Sequence, residues 1–464
     1  MFCLIFGLFV AARLWRLTAY SVRADEIFSI QAARRGWLDL VRYVIRDIVH
    51  PPLFYMLLKV WIGIGGESEG WLRLFPVLTA VATICPFVLL CREFKLKASE
   101  VNLAFMLIAV NGYLIYFAQE LRMYSLLLLL TLSSLWLFAK FLNASTTIAA
   151  HVLALFGANL LLVYTHYYGW LVVVGESFLL LLWARNKLSA FLFSVAALIV
   201  CFSPWAYRVT SVTVAVVGLE GNIGSFSRPT LRDLGAYYAT LNGPLARGWY
   251  GVLGQTLFVY PVLLWGWHSL KTPSENDGRS VITFCSLLLF SVLPVGVSFL
   301  ISQVAPQSIW GNRFFINAAV PYLILVAMAI HRLHPKWLRS AILLFVIAWA
   351  SAAGINALNN TDKRAWEPLV YQMIRAETSQ AKGITVYAFG SSDEIIRFYL
   401  EKVNEKRFQT KRIFTFDKVE GDHFWVASRS TEELPQQILR DQGYRVEEGF
   451  SDGFGGLLSP VWRQ

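Results

Sequence analysis

Charge is scarce in this chain: 15% of its 464 residues are Asp, Glu, Lys or Arg, against 56% hydrophobic, and the mean hydropathy is +0.52. A soluble domain of this length could not cover so much apolar surface, so the composition points to a polytopic membrane protein. Cysteine is scarce too. Cys3, Cys85, Cys91, Cys201 and Cys285 fall in or beside apolar runs, without zinc-site spacing, and none lies in the polar C-terminal region where a disulfide could form. They read as core packing. The chain shows no internal repeat, no low-complexity tract, no nucleotide-binding fingerprint and no glycine-rich phosphate loop. No basic stretch precedes the first apolar run, Phe2 to Leu17, which argues against a cleaved signal peptide and leaves a signal anchor or a misplaced start codon.

What is abundant fits a bilayer. The 17 Trp and 19 Tyr suit aromatic belts at its two interfaces. The net charge of +11 comes from Lys and Arg in short connections between apolar runs, a pattern that suits anionic lipid or a phosphate-bearing lipid substrate better than nucleic acid. After the first span, hydropathy places further spans at about 71–90, 101–117, 124–142, 148–165, 167–184, 189–207, 250–270, 281–301, 313–331 and 340–357, making about eleven. Leu53 to Ile64 is too short to span comfortably and reads as an interfacial helix after Pro51 and Pro52. One set of connections carries Arg92, Lys95, Lys97, Lys140, Arg185, Lys187, Lys271, Arg279, Arg332, Lys336 and Arg339, and by the positive-inside rule it is cytoplasmic. The N-terminus is then cytoplasmic as well. The opposite set faces outward, and Arg13 and Arg16, at the outer end of the first span, conflict with the rule.

After about Asn356 the composition becomes that of a soluble domain. Gly383–Gly390 reads as a buried strand, Ser391–Glu394 opens a helix, Lys411–Phe416 and His423–Ser428 read as strands, and Thr431–Gln442 as a helix. The expected organisation is a transmembrane domain over 1–357, with an outer loop at 20–52, and a small α/β extracytoplasmic domain over 358–464.

The polar residues that stand out all fall on the outward side. They are Asp25, Glu26, Asp47 and His50 in the first loop; Gln119, Glu120, Arg122 and Tyr124; His166; and Asn312 and Arg313. Polar groups clustered at a membrane mark substrate sites more often than chance placement would. Their types suit glycosyl transfer from a lipid phosphate: a carboxylate such as Asp25 takes the acceptor's proton, and Arg122 or Arg313 holds the phosphate where negative charge develops. Each also has a structural reading. Asp25 and Glu26 complement the first turn of a helix beginning at Ile27, His50-Pro51-Pro52 sets a turn and a helix start, Arg122 and Arg313 snorkel, His166 belongs to an aromatic belt, and Asp393 and Glu394 are helix-start acids.

At these residues the chain resembles the lipid-linked-sugar glycosyltransferases of the GT-C fold, specifically the family 39-like bacterial enzymes related to protein O-mannosyltransferases and aminoarabinose transferases. Asp25-Glu26 resembles that family's Asp-Glu motif, and His50-Pro51-Pro52-Leu53 its His-Pro-Pro-Leu element. Gln119-Glu120-Leu121-Arg122-Met123-Tyr124 is similar to a Q-E-x-R-x-Y element, and Asn312-Arg313-Phe314-Phe315 with Pro321 to a late R-Y/F…P element. The resemblance implies a GT-C membrane enzyme of the cell envelope that moves one sugar from a polyprenyl-phosphate donor to a lipid, glycan or protein acceptor. It makes Asp25 the base and Glu26 its neighbour, with Asp47, His50, Glu120, Arg122, Tyr124, His166 and Arg313 around the substrate. Two residues separate Asp47 from His50, where protein mannosyltransferases commonly have D-x-H-P-P. The C-terminal domain lacks the features of their eukaryotic beta-trefoil inserts, which favours a bacterial-type enzyme. No organic cofactor is expected, and a divalent cation on Asp25, Glu26 or Asp47 stays open. The alternatives are a transporter or flippase for a lipid-linked or anionic solute, which predicts charges deep inside spans and paired halves, and an envelope scaffold.

Overall fold

The structure, a computed structural model, describes residues 1–47, 49–145, 149–216, 227–245, 248–271, 278–359, 366–378, 383–389, 392–415, 419–428, 436–451 and 456–464. The chain forms two compact units, one made of Met1–Trp15 and Ala32–Asn360, the other of Arg16–Gln31 and Thr361–Gln464.

The first unit is helical, and each expected span coincides with an apolar helix. Among the described residues, six helices are long and apolar enough to cross a membrane: Glu69–Glu93, Tyr124–Asn143, Arg185–Val212, Val281–Val304, Asn312–His331 and Lys336–Asn359. Ala98–Val110 and Gly112–Gln119 add a seventh when the bent pair is taken as one span. Phe2–Leu14, Ala149–Thr165, Gly169–Trp183 and Gly251–Trp267 are shorter apolar helices, as is Leu53–Gly65. The protein is a multi-pass membrane protein. The helix Ile316–His331 is apolar on every side and buried from Ile316 to Ile330, which makes it a central element of the bundle.

The bent pair shows how a break in a span is tolerated. Ala98–Val110 and Gly112–Gln119 meet at 58°. In hydrocarbon, every carbonyl and N–H freed by such a break must find a partner. Asn111 supplies one side: its Oδ1 accepts from the Leu114 N–H at 3.0 Å, and its Nδ2 donates to the Leu241 carbonyl at 2.6 Å. Arg13 supplies the other. Its guanidinium, 1% exposed, donates to the carbonyls of Ile108 and Ala109 at 3.1 and 3.2 Å and to that of Phe9 at 3.1 Å. A cation at a helix C-terminus also meets the negative end of the dipole. Arg13 is thus an internal helix cap rather than an outward loop charge, and its conflict with the positive-inside rule disappears. Lys187 does the same for Tyr124–Asn143, donating to the carbonyls of Phe141, Leu142 and Ala144.

One carboxyl lies deep among the spans. Glu176, on Gly169–Trp183, is 0% exposed and forms a closed ring with Ser134 and Asn159 from the two preceding helices. Ser134 Oγ is 2.6 Å from both Asn159 Oδ1 and Glu176 Oε1, and Asn159 Nδ2 is 2.8 Å from Glu176 Oε2. Three contacts need three hydrogens. Serine supplies one and the amide, in either orientation, supplies one, so the ring closes only with a proton on Glu176. Glu176→Gln, which provides the same donor and acceptor, is expected to hold the unfolding midpoint in detergent within about 1 kcal/mol of wild type. Glu176→Ala leaves two buried groups unsatisfied and costs about 2–4 kcal/mol in the same thermal scan. A Gln variant as unstable as Ala would show that the ring holds an ionised acid.

The second unit is a mixed α/β body. Its strands are β1 (Ile384–Phe389), β2 (Phe408–Ile413), β3 (His423–Ser428), β4 (Tyr444–Val446), β5 (Phe450–Ser451) and β6 (Leu457–Arg463), in the order β2-β1-β3-β6-β4 with β5 also on β6. β1 is parallel to both β2 and β3, and the remaining pairs are antiparallel. Tyr387, Phe424, Val426, Leu439, Tyr444 and Val461 form its core. The second strand begins three residues before the expected Lys411. Ile148, Gly390, Ser391, Phe416 and 431–435, expected within elements, lie outside the described residues, as do the side chains of Lys271 and Arg279. Asp393 and Glu394 open Ser392–Lys402 and both pair with Arg412, at 2.8 and 2.7 Å. The segment Arg16–Gln31 is fastened to this body. The Val22 N–H donates to the Tyr399 hydroxyl at 2.7 Å, and the Glu367 N–H to Ser21 Oγ at 3.1 Å.

Candidate functional site

The candidate residues divide between the units. Asp25 and Glu26 belong to the second, where they lie in the first turn of the helix Ala24–Arg34, which starts three residues before the expected Ile27. Their side chains differ in use. Glu26 is buried, and its Oε2 accepts from the Arg23 N–H at 3.0 Å, the return half of a capping box. Asp25 is half-buried, and its carbonyl accepts from Ser29 Oγ at 3.1 Å. Asp47 ends the helix Trp37–Asp47, and its side chain lies outside the described residues.

The first unit gathers the basic residues. His50 comes just before Leu53–Gly65, Arg122 lies between Gly112–Gln119 and Tyr124–Asn143, His166 lies between Ala149–Thr165 and Gly169–Trp183, and Arg313 is in the 3-10 turn Asn312–Phe315. Four connections that are distant in sequence meet here. Arg122 is 4% exposed; its Nη2 is 3.3 Å from His50 Nδ1, and its Nη1 donates to the Tyr55 hydroxyl at 3.4 Å. The rings of His50 and His166 meet edge-on at 5.2 Å. Phe314 packs 5.2 Å from His166 and 6.2 Å from His50, and the Arg313 guanidinium lies 5.3 Å over it. Burial first, and then His50, Arg122 and Arg313 around it, hold His166 well below the ordinary histidine pKa, so it is neutral. A cluster of guanidinium and imidazole donors of this kind can receive an anion.

The neighbouring motif residues also serve the fold. Gln119 Nε2 donates to the carbonyls of Arg13 and Trp15 at 3.0 and 2.8 Å, which fixes the end of Phe2–Leu14. Glu120 is buried, and its carbonyl accepts from the Arg122 N–H at 2.7 Å in a tight turn that sets the arginine's direction. Tyr124 is 0% exposed and stacks edge-on with Phe117 at 4.7 Å. Sequence reading missed two residues. Tyr55 stands in the first turn after His-Pro-Pro, where it reads as one more apolar-helix aromatic; Tyr168 contributes a backbone N–H, which no residue pattern announces.

No protein-family model matches the sequence, and no curated protein does either. Solved structures match well. ArnT from Cupriavidus metallidurans in the apo state is similar over 99% of this chain and 97% of its own, at 12% identity and a TM-score of 0.60. The same protein bound to undecaprenyl phosphate is similar over the same shares, at 12% identity and 0.59. At that identity the likeness is one of architecture: an α-helical polytopic membrane protein with a small C-terminal α/β domain, built on the GT-C fold.

Proposed function

We propose that this protein is a glycosyltransferase that moves a sugar from a polyprenyl-phosphate donor to an acceptor on the extracytoplasmic side of the membrane. The observation that carries this reading is the meeting of buried His50, Arg122 and His166 with half-buried Arg313 at the ends of apolar helices. The fold is one in which ArnT from Cupriavidus metallidurans has been solved with undecaprenyl phosphate bound. The chemistry explains why cations are wanted. A sugar phosphodiester carries one negative charge; as the bond from the anomeric carbon to the phosphate oxygen breaks, the departing lipid phosphate gains a second. Arginine and histidine donors placed beforehand stabilise that change in the transition state more than in the ground state. Asp25 takes the proton of the acceptor hydroxyl as its oxygen attacks, and in-line attack inverts the anomeric centre. Glu26 supports the same helix turn. Asp47, Glu120 and Tyr124 complete the proposed substrate surroundings, and the polar C-terminal unit lies outside the membrane with the N-terminus on the cytoplasmic side.

The test uses the full chain in proteoliposomes with a panel of undecaprenyl-phosphate sugars and an envelope extract as acceptor source. The expected result is transfer of one labelled sugar with stoichiometric release of undecaprenyl phosphate. Carrier crossing the bilayer with the sugar still attached would overturn the reading in favour of a flippase.

A further inference from the structure

The two histidines of the cluster each face a group that can only donate. The Tyr168 backbone N–H donates to His166 Nδ1 at 3.1 Å, and Arg122 Nη2 lies 3.3 Å from His50 Nδ1. A peptide N–H and a guanidinium have no lone pair to offer. Both Nδ1 atoms are therefore acceptors, and each neutral ring carries its proton on Nε2. For His166 the arrangement is restrictive. A second proton on Nδ1 would set two N–H groups against each other, in a site that is 2% exposed. The charged and titratable groups acting on it, His50, Arg122 and Arg313, oppose that proton in the same sense as burial does. Tyr168, 5.2 Å away ring to ring, donates its own hydroxyl to the Ile309 carbonyl. His166 Nε2 is itself buried and, among the described residues, has no hydrogen-bond partner. Native proteins rarely leave a buried N–H without an acceptor, and where they do a ligand is a natural occupant.

We infer that His166 is a neutral, donor-only ligand of the carrier phosphate: its Nε2–H donates to a phosphate oxygen, and it acts neither as acid nor as base. The assignment rests on the lipid-phosphate reading above. It assigns the two ring nitrogens different tasks, Nδ1 being held by the Tyr168 backbone and Nε2 being kept for substrate. A donor that cannot protonate holds the leaving group equally well across the range in which an ordinary histidine titrates, around pH 6.5.

The experiment has two readouts on the full chain in nanodiscs. Nitrogen-15 spectra of labelled histidine, assigned with His166→Gln, are expected to show the Nε2–H tautomer from about pH 6 to 8, with a shift on adding undecaprenyl phosphate. Binding of undecaprenyl phosphate is expected to fall about ten- to hundredfold in His166→Ala and His166→Asn, the size of a hydrogen bond to a charged group. In His166→Gln, whose amide N–H stands near the position of Nε2–H, the loss is no more than about threefold. An imidazolium or Nδ1–H signal overturns the tautomer lock. Equal losses in Gln, Asn and Ala overturn the donor role and leave the lipid-phosphate reading standing. Wild type that fails to bind undecaprenyl phosphate removes that reading, and the acceptor assigned to His166 falls with it.

Discussion

Asp25→Asn is expected to lower sugar transfer by roughly a hundredfold or more, the usual worth of a positioned general base, while binding of undecaprenyl phosphate changes less than about twofold. The asymmetry within the Asp25-Glu26 pair is the ground for naming Asp25. Glu26 is buried and already serves the Arg23 N–H at the start of its own helix, so its carboxylate is committed to structure. Glu26→Gln is accordingly a change of helix start, worth about 1 kcal/mol or less, rather than a loss of chemistry. Asp25, one residue earlier, is half-buried, and its backbone carbonyl accepts from Ser29 Oγ at 3.1 Å. A transfer assay with the acceptor saturating separates the two roles, because a lost base lowers kcat whereas a misplaced helix raises KM as well. Full activity in folded Asp25→Asn would remove this residue from the mechanism and turn attention to Asp47.

The segment that carries Asp25 belongs to the C-terminal unit. Residues 16–31 cluster with 361–464, and the buried Tyr399 hydroxyl holds the backbone three residues before Asp25. Nothing in the sequence foretold that attachment, because a backbone N–H meeting a tyrosine 377 positions away leaves no periodic trace. Hydropathy located the spans, since a bilayer imposes length and composition on any helix that crosses it. The motif order brought His50, Arg122, His166 and Arg313 into view before their contacts were known. Roles were harder to read than positions. Arg13 looked like a misplaced loop charge because its task, capping carbonyls at a broken helix, depends on a partner almost a hundred residues later. Gln119 stood inside a motif and works on the end of the first helix. Glu176, an acid at the depth where a transporter would place a charge, is closed into a ring with Ser134 and Asn159, which makes it a fastening between helices.

Arg122→Lys keeps the positive charge, yet it is expected to weaken undecaprenyl phosphate binding about ten- to hundredfold, measured by titration of the protein in nanodiscs. The reason lies in the shape of the guanidinium. One Arg122 side chain reaches the Tyr55 hydroxyl with Nη1 and His50 with Nη2, both at the long end of hydrogen bonding, 3.4 and 3.3 Å, so one fork meets two neighbours in different directions. An ammonium offers a compact charge on a flexible stem and cannot span those two directions at once. Its loss also removes a donor from His50 Nδ1. Lysine binding equal to arginine would show that the cluster acts through net charge alone and that the fork on Tyr55 and His50 contributes nothing to the carrier site.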